Sequence, residues 1–151
     1  MSWYFVELKS EPEISDVIYS ESEKADITME VSNALDQADK IVVGPSNPIL
    51  SIGPILAIQN LKEKLINNRS TYVVSPFIEN KAIKGPSKKN FEDLGYKSDI
   101  KGIKEFYNNI GNYYIVQSGE TDKAGNTIEK NILFKSTEDS TNLARYIDDH
   151  E

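Results

Sequence analysis

The hydrophobic residues of this chain fall into two patterns that alternate along most of its length. Short unbroken apolar runs are typical of strands buried in a parallel sheet, and apolar residues at every third or fourth position are typical of amphipathic helices. The first pattern predicts strands at residues 3–9, 40–43, 71–75, 113–116 and 132–134, with a further short strand at 17–19. The second predicts helices at residues 29–38, 54–67, 87–94, from 99 to about 108, and from 137 onward.

Strands that alternate with helices indicate βαβ units. We therefore expect an α/β fold of the Rossmann-like, three-layer kind, in which helices flank a mainly parallel sheet, and a single domain over residues 1–151. Pro54, Gly95 and Ser98-Asp99 carry the residue types that favour helix ends. The strand at 40–43 is predicted to be buried and residues 77–86 to form a loop, and the last helix is predicted to turn Leu143, Ala144 and Ile147 inward.

Composition narrows the classes of partner and chemistry. The formal net charge is −7, from 17 basic and 24 acidic residues, and no basic patch stands out, which argues against a nucleic-acid partner. The absence of cysteine excludes disulfides, thiolate zinc sites and cysteine nucleophiles, and it agrees with a cytoplasmic location. No apolar run approaches the roughly 20 residues of a membrane-spanning helix, so we predict no membrane partner.

Classical catalytic side chains are scarce. The one histidine, His150, stands next to the last residue, so the sequence offers almost none of the residues that a Ser-His-Asp mechanism requires. The acidic residues Asp93, Asp99, Glu120 and Asp122 show no metal-binding spacing, and surface solubility is their expected role. We therefore assign no metal ligand and no catalytic residue from the sequence.

The most informative stretch is residues 42–56, where a β-branched run ends at Gly44-Pro45 and Gly53-Pro54 opens a helical pattern. In parallel α/β domains ligands bind at the carboxyl ends of strands, and a helix start there offers N–H groups to an anion. We expect outward-facing amides near Ile52, Gly53 and Ile55, with polar contacts from Ser46, Asn47 and Ser51. An ordinary strand–helix connection uses the same turn residues, so composition alone leaves the two interpretations evenly balanced.

A second group of candidate residues follows the strand at 71–75. It comprises Ser75-Pro76, Lys81 and Lys84-Gly85-Pro86. Because carboxyl ends of neighbouring parallel strands meet at one sheet edge, this group is expected beside the first loop. Lys81 or Lys84 could hold a phosphate as a point charge, and the alternative is an ordinary solvated lysine.

These two motifs resemble the 2-phospho-L-lactate transferase (CofD) family, and the chain looks like its C-terminal half. The resemblance rests on Gly44-Pro45-Ser46-Asn47-Pro48, Ser51-Ile52-Gly53-Pro54-Ile55-Leu56 and Lys81-Ala82-Ile83-Lys84-Gly85-Pro86. It extends with less specific matches to Tyr4-Phe5-Val6, Glu11-Pro12-Glu13, Leu94-Gly95, Gly102-Ile103, Tyr107 and Leu143-Ala144.

The resemblance implies a role in making coenzyme F420. Such enzymes transfer a phospholactyl-type group from a guanosine diphospho donor to the ribityl hydroxyl of the deazaflavin Fo, GMP leaves, and magnesium assists. The residues implied for binding substrate or nucleotide are Gly44, Pro45, Ser46, Asn47, Ser51, Ile52, Gly53, Ser75, Lys81, Lys84 and Gly85.

The chain also departs from the family pattern. The family's N-terminal half begins with a strand and a Gly-Gly-Thr-Gly type loop, which this sequence lacks. We expect the magnesium ligands in that half and no catalysis by the isolated chain. In addition, Glu79-Asn80 stand where a pair of glycines commonly precedes the lysine of the second motif.

Two alternatives stay open. One is a non-catalytic regulatory module that binds a nucleotide sugar, like the gluconeogenesis-factor-like proteins. The other is a folding unit that binds nothing well alone and pairs with itself as a homodimer.

Overall fold

The computed structural model describes residues 2–79, 81–82, 87–120 and 125–150. Its strands, in chain order, are β1 (Ile41–Val43), β2 (Thr71–Val74), β3 (Phe77–Ile78), β4 (Lys81–Ala82), β5 (Tyr113–Gln117) and β6 (Thr127–Lys130). Its helices are α1 (Ser2–Val6), α2 (Met29–Gln37), α3 (Gly53–Leu56), α4 (Gln59–Asn67), α5 (Ser87–Asp93), α6 (Ile100–Phe106) and α7 (Thr137–Asp149), with a short 3₁₀ turn at Ser22–Lys24 and a π-helical turn at Pro48–Ile52.

The main sheet has four strands in the order β1-β2-β5-β6, and every neighbouring pair in it is parallel. Val43 lies beside Val73, Val74 beside Ile115, and Gln117 beside Lys130. All four strands therefore end at one side of the sheet, which we call the carboxyl edge. This architecture confirms the predicted Rossmann-like α/β fold with a mainly parallel sheet.

Each face of the sheet carries its own apolar core, because alternate residues of a strand point to opposite faces. Val73, Tyr114 and Val116 face helices α3 to α6 and pack with residues such as Leu65, Phe91 and Ile103. Tyr72, Val74 and Ile115 face α7 and pack with Leu143 and Ile147. The helices thus form two layers around the sheet, with α7 covering one face among the described residues.

Several helix ends follow their sequence signals. The Asp99 carboxylate accepts hydrogen bonds from the N–H groups of Lys101 and Gly102 at 2.9 and 3.0 Å, as an N-cap should. Gly95 adopts φ +85° just after α5, the left-handed conformation that favours glycine. At the start of α7, Ser136 and Asp139 form a reciprocal capping box, and hydrogen bonds from backbone N–H groups lower the pKa of Asp139.

The prediction of strands at 3–9 and 17–19 is wrong. Residues Ser2–Val6 form helix α1, and residues 17–19 have no strand partner among the residues that the structure describes. The Tyr4 hydroxyl oxygen accounts for the first outcome, since it lies about 3 Å from Ser10 O, Pro12 O and Asn90 Oδ1, within hydrogen-bond distance of each, and so ties the segment to α5. Strand propensity in the aromatic run is overridden by these contacts.

The strand predicted at 132–134 is also misplaced. The fourth strand of the sheet is β6, residues Thr127–Lys130, and its polar pattern reflects an edge position. Ile132 is buried without being in a strand, because its N–H donates to the Gln117 side chain at 3.0 Å. Only Ile132 of this run is buried, since Leu133 and Phe134 are each 43% exposed, so the run marked neither a strand nor a continuous buried segment.

Three further expectations need correction. The helix predicted at 54–67 is split into α3 and α4, since Ile58 is extended with φ −81° and ψ 107°. Residues 77–86 are not simply a loop, because Phe77–Ile78 and Lys81–Ala82 pair as a hairpin. Ala144 is exposed, and β1 is only partly buried, with Val42 51% exposed at the end of the sheet. An edge strand loses the burial that a second neighbour provides.

Within the described parts of the chain, no helix has both the length and the apolar character required to cross a membrane.

Candidate functional site

The first motif begins directly at the carboxyl end of β1. Gly44, Pro45 and Ser46 are exposed there, and the Ser46 N–H folds back to donate to Gly44 O at 2.8 Å. Gly44 and Pro45 line a cavity of about 340 Å³ that also contacts Val74 at the end of β2. The structure therefore places this loop at the carboxyl edge, as predicted.

Asn47 organises the next turn. Its Oδ1 atom accepts hydrogen bonds from the N–H groups of Ile49 and Leu50, at 2.9 and 3.0 Å. Its backbone carbonyl accepts from Ser51 and Ile52, at 3.0 and 3.2 Å, which closes the π-helical turn. The helical segment consequently starts at Pro48, earlier than its glycine-proline signal suggests, because an asparagine side chain caps it.

This capping corrects the expected anion site at the helix start. The N–H of Ile52 donates to Asn47 O and that of Gly53 donates to Pro48 O, so neither amide faces outward. Gly53 itself is buried, and a Cβ atom there would lie 1.9 Å from the Tyr19 hydroxyl and 3.0 Å from Pro48 O. Gly53 is thus required for packing and lies away from any surface that a ligand could reach.

Gly44 differs from Gly53 in this respect. It has no positive φ, and no atom lies within 4 Å of the position its Cβ would take. Neither backbone conformation nor packing within the described residues therefore demands glycine at 44. Glycine at this position leaves the backbone open to close approach by a ligand or by another chain.

The polar side chains of the first motif are available to different degrees. Ser46 is exposed and Ser51 is half-buried, and neither hydroxyl hydrogen-bonds to any described residue. The Asn47 carbonyl oxygen is already occupied by the two amides that it caps. Ser46 and the Gly44–Pro45 backbone are therefore the groups of this loop best placed to meet a ligand.

Ser75 ends β2 at the same edge but is 2% exposed. Its hydroxyl donates to Phe77 O at 2.9 Å and accepts the Phe77 N–H at 3.2 Å. Its own N–H donates to Ile115 O at 2.8 Å, which continues the ladder to β5. In this structure Ser75 holds the turn into β3.

The second motif leads into a helix that packs on the first. Lys81 lies on β4, where it pairs with Ile78, and Lys84 and Gly85 fall outside the described residues. Helix α5 follows this motif and contacts the π-helical turn Pro48–Ile52. Phe91 of α5, Ile49 of the turn and Phe77 of β3 share one buried cluster. The helix that follows the second motif therefore packs on the turn of the first motif.

Glu79 sits at the tip of the β3–β4 hairpin with φ +50°, a left-handed conformation that glycine adopts without strain. Its N–H donates to the Glu120 carboxylate in the segment that follows β5. A glutamate therefore occupies a position that a glycine of the family pattern would fill more easily. It also adds a negative charge beside the second motif.

We expect Glu79→Gly to raise the free energy of unfolding by about 0.5–1 kcal/mol. A left-handed backbone conformation costs an L-residue roughly 1–2 kcal/mol, which glycine would avoid. Glycine also loses more conformational entropy on folding, and this offsets about half of the gain. Urea unfolding would measure the change. Glu79→Gln is the matched control, because it removes the charge and keeps the strain. An equal gain in Glu79→Gln would show that charge, and not backbone strain, governs this turn.

Tyr19 is a site-supporting residue that sequence patterns did not identify. Its hydroxyl donates to Ile49 O at 2.7 Å and so fixes the π-helical turn, and burial, with nearby Tyr96, raises the pKa of Tyr19 to about 12. It therefore stays protonated and keeps donating across the physiological pH range. The only local signal at Tyr19 was the wrongly predicted strand at 17–19, and its partner Ile49 is distant in sequence, so no pattern pointed to this contact.

The resemblance implies magnesium, with its ligands in the half of the family that this sequence lacks. Across residues 2–79, 81–82, 87–120 and 125–150, no group of three or more histidine, aspartate and glutamate residues is arranged to hold a metal ion. The described residues therefore do not fit a magnesium site of the carboxylate type.

Comparison with known proteins agrees with the fold and the two motifs. The family model described as 2-phospho-L-lactate transferase CofD matches residues 4–145. A protein of Methanocaldococcus jannaschii named 2-phospho-L-lactate transferase is 34% identical over 148 residues, which are 95% of this chain and 47% of that protein. A protein of the same name from Methanococcus vannielii is 35% identical over 150 residues, 96% of this chain and 47% of that protein. Another protein of this name, from Methanopyrus kandleri, is 29% identical over 150 residues, which are 95% of this chain and 48% of that protein.

The sheet and its carboxyl-edge loops define a Rossmann-like α/β protein. The chain belongs to the CofD family, and it corresponds to the C-terminal half of these relatives. It spans about half the length of the curated relatives that it matches. The predicted resemblance is therefore confirmed for the part of the family's length that this chain covers.

Proposed function

We propose that this chain supplies one wall of the substrate cleft of a 2-phospho-L-lactate transferase in coenzyme F420 biosynthesis. The observation that carries the proposal is the contact between the π-helical turn of the first motif and α5, the helix that directly follows the second motif. The exposed glycine at position 44 adds support, since no atom lies within 4 Å of the position its Cβ would take and a ligand could approach the backbone there. Ligands of open parallel sheets bind at this edge.

In the proposed reaction a hydroxyl oxygen of the deazaflavin Fo forms a bond to the phosphorus that carries the lactyl group. The bond from that phosphorus to the bridging oxygen breaks, GMP leaves with the electron pair, and the hydroxyl proton is released. Phosphoryl transfer depends mainly on positioning and on neutralising the phosphate oxygens. We assign the Gly44–Ser46 backbone and hydroxyl to positioning the guanosine diphospho donor, and Lys81 with Lys84 to charge neutralisation.

We propose that no described residue of this chain binds magnesium. Because the described residues offer no suitable carboxylate group, we place the metal ligands in the other half of the family's length and assign no step to the metal. We also propose a cytoplasmic location, in keeping with the absence of cysteine.

Calorimetry on this chain tests the nucleotide assignment. We expect GDP to bind more tightly than a UDP-sugar, because the proposed donor carries guanosine diphosphate. Binding of the UDP-sugar without any preference for guanine would contradict the proposal and favour the nucleotide-sugar-binding regulatory module.

An assay of GMP release tests the transfer reaction. The chain would be mixed with a polypeptide covering the part of the Methanocaldococcus jannaschii relative that it does not match, which we call the complementing half. We expect GMP to appear only when both polypeptides, the guanosine diphospho donor and Fo are present, and the isolated chain to be inactive. Release by the isolated chain would overturn the division of the site between two halves.

A further inference from the structure

The segment between α1 and α2 is an acidic strap that crosses elements belonging to both motifs. We define the strap as residues 10–26, which contain six carboxylates and one lysine and form no regular structure except the 3₁₀ turn Ser22–Lys24. All six carboxylates are exposed, and Val17 packs against the apolar core beneath. An irregular, acidic segment does not stay on a surface through its own propensity, so specific contacts must hold it.

The first anchor of the strap is on α5, the helix that follows the second motif. The Ile14 N–H donates to Asp93 Oδ2 at 3.1 Å, and Lys89 donates both to that carboxylate and to Pro12 O. The hydrogen bond from Lys89, together with that from the Ile14 N–H, lowers the pKa of Asp93. The carboxylate therefore stays charged at neutral pH and keeps accepting these charge-assisted bonds.

The second anchor is a carbonyl that the first motif leaves without a backbone donor. In the π-helical turn the N–H of Gly53 donates to Pro48 O, five residues back. The next donor in this series would be Pro54, which has no N–H. The carbonyl that it leaves unpaired belongs to the fully buried Ile49, and it accepts from the Tyr19 hydroxyl at 2.7 Å. The strap thus supplies the donor that the motif lacks.

Gly53 makes room for this tyrosine. A Cβ atom at position 53 would lie 1.9 Å from the Tyr19 hydroxyl oxygen and 2.7 Å from its Cζ atom. Glycine at 53 therefore opens a seat for the ring, and proline at 54 leaves the acceptor free within it. The Gly53-Pro54 pair of the first motif accordingly receives a side chain of the strap, directly after the turn that Asn47 caps.

We propose that Tyr19 is a positioning residue for the donor site and that the strap fixes the first motif relative to the second. Tyr19 holds the turn that begins after Asn47, and this turn directly follows the exposed Gly44–Ser46 loop. Asp93 holds the other end of the strap on α5. The identity of the ligand in this inference rests on the proposed function, whereas the mechanical link between the two motifs does not.

Residue-resolved hydrogen exchange tests the mechanical link without any ligand. Tyr19→Phe keeps the ring and removes the donor, so exchange of the Ile49 and Leu50 amides should become about three- to tenfold faster, as expected for one net hydrogen bond. Tyr72→Phe is the matched control, because its hydroxyl makes a hydrogen bond of 2.8 Å on the opposite face of the sheet. It should leave the turn amides unchanged. Equal acceleration in both variants would overturn the link, since these amides would then report only global stability.

The anchor on α5 provides a second arm of the same measurement. Among the described residues Asp93 hydrogen-bonds to Ile14 and Lys89 and not to the turn, yet Asp93→Ala should also accelerate exchange of the turn amides. Asp36→Ala is its control, because Asp36 pairs with Lys64 outside the strap. Turn amides that are unaffected by Asp93→Ala, or affected equally by Asp36→Ala, would contradict a link through the strap.

Pro54→Ala tests why the turn needs an external donor. Alanine restores an N–H at position 54, so the Ile49 carbonyl should no longer depend on Tyr19. In this background Tyr19→Phe should accelerate exchange of the turn amides by less than about twofold. A full effect of Tyr19→Phe there would show that the Ile49 carbonyl is not the unmet acceptor.

Calorimetry with GDP tests the positioning role. We expect Tyr19→Phe to bind GDP roughly three- to tenfold more weakly and Tyr72→Phe to bind it as the wild type does. Wild-type affinity in Tyr19→Phe, with the turn amides loosened, would overturn the positioning role. Absence of GDP binding to the wild-type chain would instead refute the nucleotide assignment, and the exchange results would still decide whether the strap links the two motifs.

Discussion

Asn47→Asp is expected to leave the fold intact and to weaken binding of the guanosine diphospho donor at least roughly tenfold. The aspartate keeps the oxygen that accepts from the Ile49 and Leu50 N–H groups, and a negative charge suits a helix start. The same charge opposes a diphosphate held by the neighbouring loop. Two unit charges about 6 Å apart repel by about 3 kcal/mol at an effective dielectric constant of about 20, which is enough for the expected loss. Calorimetry with GDP measures the binding and urea unfolding measures the stability.

Asn47→Ala separates the effect of losing the helix cap from the effect of adding a negative charge at position 47. It removes the cap without adding charge, so we expect a loss of about 1–2 kcal/mol in the free energy of unfolding. Its effect on GDP binding should come through loosening of the turn. Unchanged GDP affinity in Asn47→Asp would be evidence that the diphosphate lies elsewhere. Equal instability in both variants would show that the cap geometry described for Asn47 is wrong.

Local sequence patterns predicted an element correctly where contacts between residues close in the chain determine its conformation. The apolar spacing of α2 and α7 and the unbroken runs of β2 and β5 gave their type and nearly their bounds. The caps at Asp99 and the glycine after α5 were also evident, because capping is a chemical event between close neighbours in the chain. These elements were enough to predict the parallel sheet and the location of both motifs.

The errors arose where distant contacts decide the conformation. The aromatic run of α1 has strand propensity, but the segment is held as a helix against α5, where the Tyr4 hydroxyl lies close to Pro12 O and Asn90 Oδ1. The buried Ile132 resembled a strand residue, although a glutamine side chain on β5 satisfies its N–H. Neither partner is visible in a local window of sequence, so periodicity could not have corrected these predictions.

Within the site, sequence reasoning located the loop but did not sort its residues by role. Glycine, asparagine and serine serve ligand binding and turn formation equally well. The structure separates them, since Gly53 and Ser75 are buried in packing and turn contacts, whereas Gly44 and Ser46 are exposed. The two motifs therefore combine residues that hold the turns with residues that are exposed at the carboxyl edge.

Gly53→Ala is expected to lower the free energy of unfolding by about 2 kcal/mol. The new methyl group would occupy the position of the Tyr19 hydroxyl, which must then leave Ile49 O. A buried carbonyl left without its donor costs about 1–3 kcal/mol, and the close Pro48 O contact adds to this. The better helix propensity of alanine offsets up to about 1 kcal/mol. Urea unfolding would measure the net change.

A double-mutant cycle with Tyr19→Leu identifies the cause. Leucine removes both Tyr19 atoms nearest to the new methyl group, so Gly53→Ala should cost little in that background and the two changes should couple by more than about 1 kcal/mol. Gly44→Ala is the matched glycine control and should be nearly neutral for stability, because its Cβ meets no atom within 4 Å. Additive effects of Gly53→Ala and Tyr19→Leu would mean that the clash lies with the backbone. The π-helical turn would then be held by Asn47 and Pro48 without help from the acidic segment that carries Tyr19.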